Sequence, residues 1–475
     1  MKNKALLCSL ALSACVAHAA ERTVSAPADG VTPATPVLQQ AVDEVSASGG
    51  GTVVVPPGAY VTASLRLKDG VTLRLSKGAT LLGSTNAADY VRGCFAVVGA
   101  VDARKVSIEG EGTIDGRGWA APVRDGAPNR WKDAFFFRCK DVRVEGVTMK
   151  APASWTFYLK ECEDCLVRGI TIYAHANFNN DGIDIDAKNV LIENCTIDSD
   201  DDAICPKSDN PDYICENVEV RNCTLASNCN FIKFGTASRG GFRNCRVHDC
   251  VLRPCAESHL RLWHCRSSWD KRAKGLPGVT DPITGISGVA LEMVDGGLLE
   301  NIHVSNIKLT GGVQTPIFVR LGRRRTKPST PSVLRDCVIE NVSGTSASFI
   351  ASSITGVPGL RPHGLVLRNI DLTLKAGGTA ADVSKPVKEN ERGYPENRMF
   401  GTMLPAYGFY LRHADGIRFE NVRTRFAGGR EERPAVVMDD CSSITFDSAC
   451  SFAKPDGPLP AIDTRNPAQP PATEF

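Results

Sequence analysis

One six-residue pattern returns along most of the chain: "VEGVTM" from Val144, "VRGITI" from Val167, "IENCTI" from Ile192, "VRNCTL" from Val220 and "VHDCVL" from Val247. Later copies are "VSNIKL" from Val304, "LRNIDL" from Leu367 and "FENVRT" from Phe419, and "IEGEGTI" from Ile108 is an early one. The central copies recur every 23 to 28 residues, as short alternating β-branched segments with no helical periodicity between them. Such a period specifies a solenoid whose coils are built of strands. A single coil has no core and buries its apolar face only by stacking on the next. The expected fold class is therefore all-β, a β-solenoid.

Stacking turns sequence position into space. Neighbouring strands lie ~4.8 Å apart, so equivalent residues of successive coils form ladders. Cys195, Cys223 and Cys250 hold the same place in three such coils. Sixteen of the 18 cysteines lie beyond the leader, and the ladder explains several as small apolar core residues. Mostly free, buried thiols are expected; disulfides between rungs are possible but not required. An open solenoid end would recruit other chains. "VLQQAVDEVSASGG" from Val37, with helical spacing and a glycine stop, is expected to be a short N-terminal capping helix, followed by a strand and turn in "GTVVVPPGAY" from Gly51.

A formal net charge of +2 over 475 residues argues against nucleic acid or an anionic membrane surface as partner. Lys2 and Lys4, a short apolar run and Ala17-His18-Ala19 read as a signal peptide over residues 1–19, which implies a secreted or periplasmic protein. Leu12-Ser13-Ala14-Cys15 also resembles a lipoprotein cleavage box, with Cys15 as the lipidated residue. No later stretch is long and apolar enough for a membrane helix. The solenoid is expected over residues 20–454, starting its repeats near Pro27, with a Pro-rich tail over 455–475.

Against this neutral background one stretch is crowded with acid: "NNDGIDIDAKNVLIENCTIDSDDDAICPKS", Asn179 to Ser208. Like charges repel, so such a cluster serves a metal, serves carboxylate chemistry, or lies on a wet surface. The repeat aligns Ile183, Ile204 and Ile232 as an apolar ladder. With these pointing inward, Asp181 and Asp202 stack on one face with Asn230 as the third member and Asp201 adjacent. Asp184 and Asp186 read either as groups that orient this site or as turn residues, and Asp198 and Asp200 as solvated.

These segments resemble glycoside hydrolase family 28, the polygalacturonases and rhamnogalacturonan hydrolases. "GTIDGRGW" from Gly112, "APASWTFYL" from Ala151, "NNDGID" from Asn179 and "DDAI" from Asp201 occur in the family's order. The resemblance implies a right-handed parallel β-helix and inverting hydrolysis of α-galacturonide linkages in pectin, with no cofactor or metal. By carry-over, Asp201 is the general acid, Asp181 and Asp202 hold and deprotonate the water, and Asn179 and Asp184 belong to the substrate site. The chemistry agrees, because an inverting glycosidase needs one protonated carboxyl and one carboxylate on opposite faces of the sugar.

Two departures accompany the match. Cys229-Asn230-Phe231 stands where the family has Gly-His-Gly, and Ala290-Leu291-Glu292 where it has Arg-Ile-Lys. These, with "KFGT" from Lys233 and "YPENRMFG" from Tyr394, resemble a less characterised bacterial branch. Asn230, Lys207, Lys233 and Arg320 are the candidates to bind substrate in their place, with Arg320 and Lys233 gripping its carboxylate. "HLRLWHCRSSWDKRAK" from His259 is an insertion in which Trp263 or Trp269 can stack on sugar, and the insertion at Tyr394 to Gly401 can block one end of a cleft. The expected partner is a pectic poly- or oligosaccharide, met by a monomer. A calcium-dependent pectic lyase and a non-catalytic glycan-binding β-helix remain the alternatives.

Overall fold

Each copy of the repeat turns at a residue in the left-handed region: Asn194, Asn222, Asp249, Asn306, Asn341, Asn369 and Asn421 have φ between 52° and 58°. Asparagine and aspartate tolerate this conformation better than other residues with a Cβ. The structure is a computed structural model that describes residues 20–122, 128–257, 285–325 and 330–467. Within it the corner side chains hydrogen-bond from coil to coil. The Asn306 amide donates to Asp249 at 2.8 Å, Asn341 to Asn306 at 2.9 Å, Asn369 to Asn341 at 3.0 Å and Asn421 to Asn369 at 2.8 Å. A slip of one residue would break every rung of that ladder.

The strands pair in parallel with coils two or three strands apart in sequence, which makes a right-handed parallel β-helix. Its core is a set of aliphatic ladders. Ile183 pairs with Ile204, Ile204 with Ile232, Ile232 with Val289 and Val289 with Ile317, all buried. Each such side chain contributes roughly 1.5 to 3 kcal/mol on burial. The expected register is thus the observed one. The described cysteines are free and mostly buried, as their ladder position requires.

The helix Thr35–Ala47 starts slightly before the expected Val37, with proline in its first turn, and lays Leu38, Ala41, Val42 and Val45 over the first coils. The stack begins at the expected residue 20, ahead of the first repeats, and ends later than expected. Ala20–Thr23 already pairs with the strand Gly51–Val55, so the stack begins before Pro27. Ile462–Arg465 pairs with Val436–Asp439, so part of the expected tail is a strand of the last coil. The expected leader with Cys15, and the insertion holding Trp263 and Trp269, lie outside the described residues. Among the described residues no helix is long and apolar enough to cross a membrane.

One sheet positions everything that follows. Its outward row runs Phe135, Tyr158, Asp184, Cys205, then Lys233, Ala290, Phe318, Ser353, Tyr410 and Val437. Beyond Ala290 the row is covered. Met399, Phe400, Leu404 and Ala406 pack on Phe318, Tyr410 and Val437 as a second apolar cluster. The covering segment is tied down by Asn397, which donates to Ile286 O, Gln314 Oε1 and Thr315 Oγ1.

Candidate active site

The strand register carries the acids to one place. Two residues before the ladder Ala134, Phe157, Ile183, Ile204 and Ile232 lie Lys132, Trp155, Asp181, Asp202 and Asn230, which therefore form a second ladder along one edge of the sheet. Gly182 permits the close stacking here, since a Cβ on it would lie 2.4 Å from Ala203 O. Ser199 and Ser227 hydroxyls donate to Asp201 O at 2.8 and 2.7 Å and hold the Asp201 backbone in the turn.

The two adjacent aspartates have opposite surroundings. Asp202 is buried; its Oδ1 accepts from the Asn230 amide at 2.7 Å and its Oδ2 from Lys233 Nζ at 2.8 Å. Burial pushes its pKa up, but Lys233, Lys207 and these hydrogen bonds outweigh it and hold the carboxyl below its ordinary value. Among the described residues no cation bonds to Asp201. Its Oδ1 accepts from the Asp202 backbone N–H at 2.9 Å and its Oδ2 from the Asn179 amide at 3.5 Å. Burial, then Asp181 and Asp202, push it up to about 8. One carboxyl keeps its proton at neutral pH beside one that has lost it.

Asp181 is raised well above its ordinary value by burial and by Asp184, with Lys207 opposing. Asp184 is pushed up to about 6 by burial, again against Lys207. The Lys207 ammonium lies 3.3 Å from Asp181 Oδ2 and 3.0 Å from Asp184 Oδ1. Asp186 is buried and pushed up to about 7 by that burial. Asn179 is fixed from behind by Arg130, which donates to Asn179 Oδ1 at 2.8 Å and to Phe178 O at 2.6 Å.

Several expected roles are overturned. Arg320 is fully buried; its guanidinium donates to Gly356 O at 2.7 Å and Glu389 O at 2.8 Å, so it clamps the covering segment instead of facing substrate. Lys233 does reach the site, but its ammonium is committed to Asp202, with Glu292 Oε2 at 3.7 Å and the Tyr394 hydroxyl accepting at 3.0 Å. It supports the carboxylate and is not a spare cation. Asn230 likewise serves Asp202. Asp198 and Asp200 are buried, not solvated: His175 Nε2 is 2.8 Å from Asp198 Oδ1 and its Nδ1 3.6 Å from Asp200 Oδ1. Burial pushes His175 down, yet the two carboxylates prevail and bring it up to about 9, so it is a charged brace beneath Asp201. Arg324 and Arg325 face Asp295, and Arg323 pairs with Glu391 at 2.8 Å.

Lys132, Trp155, Tyr394 and Glu292 enter the site without having been identified as its members. The register extended back by two coils would have found Lys132 and Trp155. Tyr394 comes from an insertion that no repeat places. Its side chain lies over Lys233 Nζ, 5.3 Å from the ring centre, and Arg324 lies 5.7 Å from the same ring.

Residues 47–235, which contain the clustered aspartates from Asp181 to Asp202, match Glycosyl hydrolases family 28. A probable polygalacturonase of Vitis vinifera is 29% identical over 52% of this chain and 57% of its own length. An exo-poly-alpha-D-galacturonosidase of Dickeya chrysanthemi is 28% identical over 38% of this chain and 40% of its own length. The matches thus span about half the length of these relatives. The family 28 exopolygalacturonase of Yersinia enterocolitica has the same fold, with a TM-score of 0.63 at 16% identity, covering 95% of this chain and 79% of that one.

Proposed function

We propose that this chain, a family 28 glycosyl hydrolase by the match over residues 47–235, hydrolyses α-galacturonide linkages of pectin with inversion. The observation that carries the reading is the pair of adjacent carboxyls in opposite protonation states. Asp201, pushed up to about 8, holds a proton to give to the leaving oxygen. Asp202, held ionised by Lys233, accepts a proton from the attacking water. Asp181, raised above its ordinary value by burial and paired with Lys207, positions that water. Donor and acceptor in one buried site are what a single displacement at the anomeric carbon requires.

The acid clusters also have the residue types of a calcium site. Here ammonium groups stand where a cation would: Lys207 between Asp181 and Asp184, and Lys233 on Asp202. This arrangement favours hydrolysis over a calcium-dependent lyase. The test is incubation with de-esterified homogalacturonan and with rhamnogalacturonan fragments, products being sized by mass. Saturated reducing ends, with the inverted anomer formed first, are expected in the presence of chelator. Unsaturated, ultraviolet-absorbing products would overturn the reading in favour of a lyase, and binding without product would make the protein a glycan-binding module.

A further inference from the structure

The ladder that carries Asp202 and Asp181 does not stop at the acids. Its next members are Trp155 and then Lys132, each one rung, ~4.8 Å, further from Asp202. Trp155 is half-buried and stands edge-on to Tyr158, with ring centres 5.1 Å apart. The Lys207 ammonium, bound to Asp181 and Asp184, lies 4.8 Å from the Trp155 ring centre on the side of the acids. Lys132 Nζ lies 5.1 Å from the same ring and 5.6 Å from that of Phe135.

Four cations near the acids are committed: Lys207 to Asp181 and Asp184, Lys233 to Asp202, Arg324 to Asp295 and Arg320 to backbone carbonyls. Lys132 differs. Among the described residues its ammonium makes no hydrogen bond or ion pair, although it is half-buried between two aromatic rings. Burial pushes it down to about 8; Asp184 and Asp181 pull it up from a distance, and Arg130 and Lys160 push it down. An ammonium removed from water without a counter-ion gains from any anion that arrives. On the other side of the acids the row is closed by Tyr394 and the packed segment behind it. A bound chain that reaches Asp201 therefore extends over Trp155 and Lys132.

We propose that Trp155 and Lys132 form a subsite for a second galacturonate unit, Trp155 lying against the apolar face of its ring and Lys132 pairing with its carboxylate. The proposal rests on the reading of Asp201 and Asp202 as galacturonide-cleaving groups. It assigns specificity for a charged sugar to coils before the acids, not to the coil of Ala290-Leu291-Glu292.

The test compares wild type, Lys132→Gln and Lys132→Arg on trigalacturonate and on its methyl-esterified form. Lys132→Gln should lower kcat/KM for the acid roughly tenfold to a hundredfold, mostly through KM, and change the ester less than about threefold. Lys132→Arg should restore most of the loss. Equal losses on acid and ester, or no loss on the acid, would overturn the subsite while leaving the hydrolase reading in place. If wild type cleaves neither substrate, the hydrolase reading fails and calorimetric binding of trigalacturonate decides the subsite. Weaker binding by Lys132→Gln alone supports it, and equal binding or no binding to wild type overturns it.

Discussion

Removing the Lys233 charge, as Lys233→Met, tests the electrostatic account of Asp202 most directly. The ammonium is 2.8 Å from Asp202 Oδ2, with both groups buried. At an effective dielectric of ~20 that separation corresponds to about 6 kcal/mol of attraction. The variant does not lose the whole of it, because Asp202 can take up a proton. An unfolded aspartate titrates near pH ~3.9, and each further pH unit costs about 1.4 kcal/mol to protonate it. That cost is about 4 kcal/mol at pH 7 and about 1.5 kcal/mol at pH 5, in both cases below the Coulomb figure, so protonation sets the ceiling. In wild type the Asp202 pKa is depressed; its contribution is fully present above the unfolded value and is lost only as pH falls through the folded one. The variant reverses the sign, and its stability falls as pH rises. Glu292, pushed up to about 8, keeps its proton in both proteins over this range, so its slope is common to wild type and variant and cancels from the gap. Denaturant unfolding of both proteins at pH 5, 6 and 7 should show a stability gap that widens with pH, with turnover lost as the base becomes protonated. A gap of the same size at pH 5 and pH 7 would mean that Lys233 does not hold Asp202 ionised.

Asp201→Asn should cut turnover by roughly 10²- to 10⁴-fold while leaving oligogalacturonide affinity near wild type, measured by single-turnover kinetics and calorimetry. The wild-type kcat profile should fall on its basic side near pH 8 as Asp201 ionises, and Asp181→Asn should move that limb to lower pH by removing a neighbouring negative charge. Arg320→Met leaves Gly356 O and Glu389 O without their donor, at a cost of about 1 to 3 kcal/mol each. Lower stability and faster proteolysis around Glu389, with KM unchanged, are expected; a raised KM alone would return Arg320 to the substrate. Replacing Tyr394 to Phe400 by a short Gly-Ser link should uncover the row beyond Lys233 and lengthen the fragments released relative to wild type, read by mass; an unchanged product distribution would mean that this segment does not close the cleft.

The solenoid was legible because its repeat is enforced twice, by inward aliphatic ladders and by left-handed corner residues, and both leave a period in the sequence. The alignment of Ile183 with Ile204 and Ile232 predicted the observed register, and with it the meeting of Asp181, Asp201 and Asp202. What was lost was the direction of long side chains. Arg320 is the penultimate residue of the strand Val313–Leu321, and nothing in that strand reveals that its guanidinium turns into the segment around Glu389. Asp198 and Asp200 looked solvated because aspartate usually is. Their burial depends on His175, whose coil precedes theirs and whose charge they sustain.

The same contrast accounts for the altered segments. Lys233 pairs in register with Ala290, whose small side chain stands where the resemblance led to the expectation of arginine, and Glu292 lies within 3.7 Å of the Lys233 ammonium. A base has thus appeared one coil closer to Asp202, with an acid beside it. Together they fix the ionisation of Asp202 instead of greeting a substrate anion. A site with more carboxyls than ammoniums would repel a uronate if all of them were ionised. Burial pushes Asp201 and Glu292 up to about 8 and raises Asp181 well above its ordinary value, which limits the negative charge of the site at neutral pH. The attraction for a uronate must then come from a cation that the acids do not consume. Along the Asp202 ladder that condition is met at Lys132, whose ammonium has no partner among the described residues.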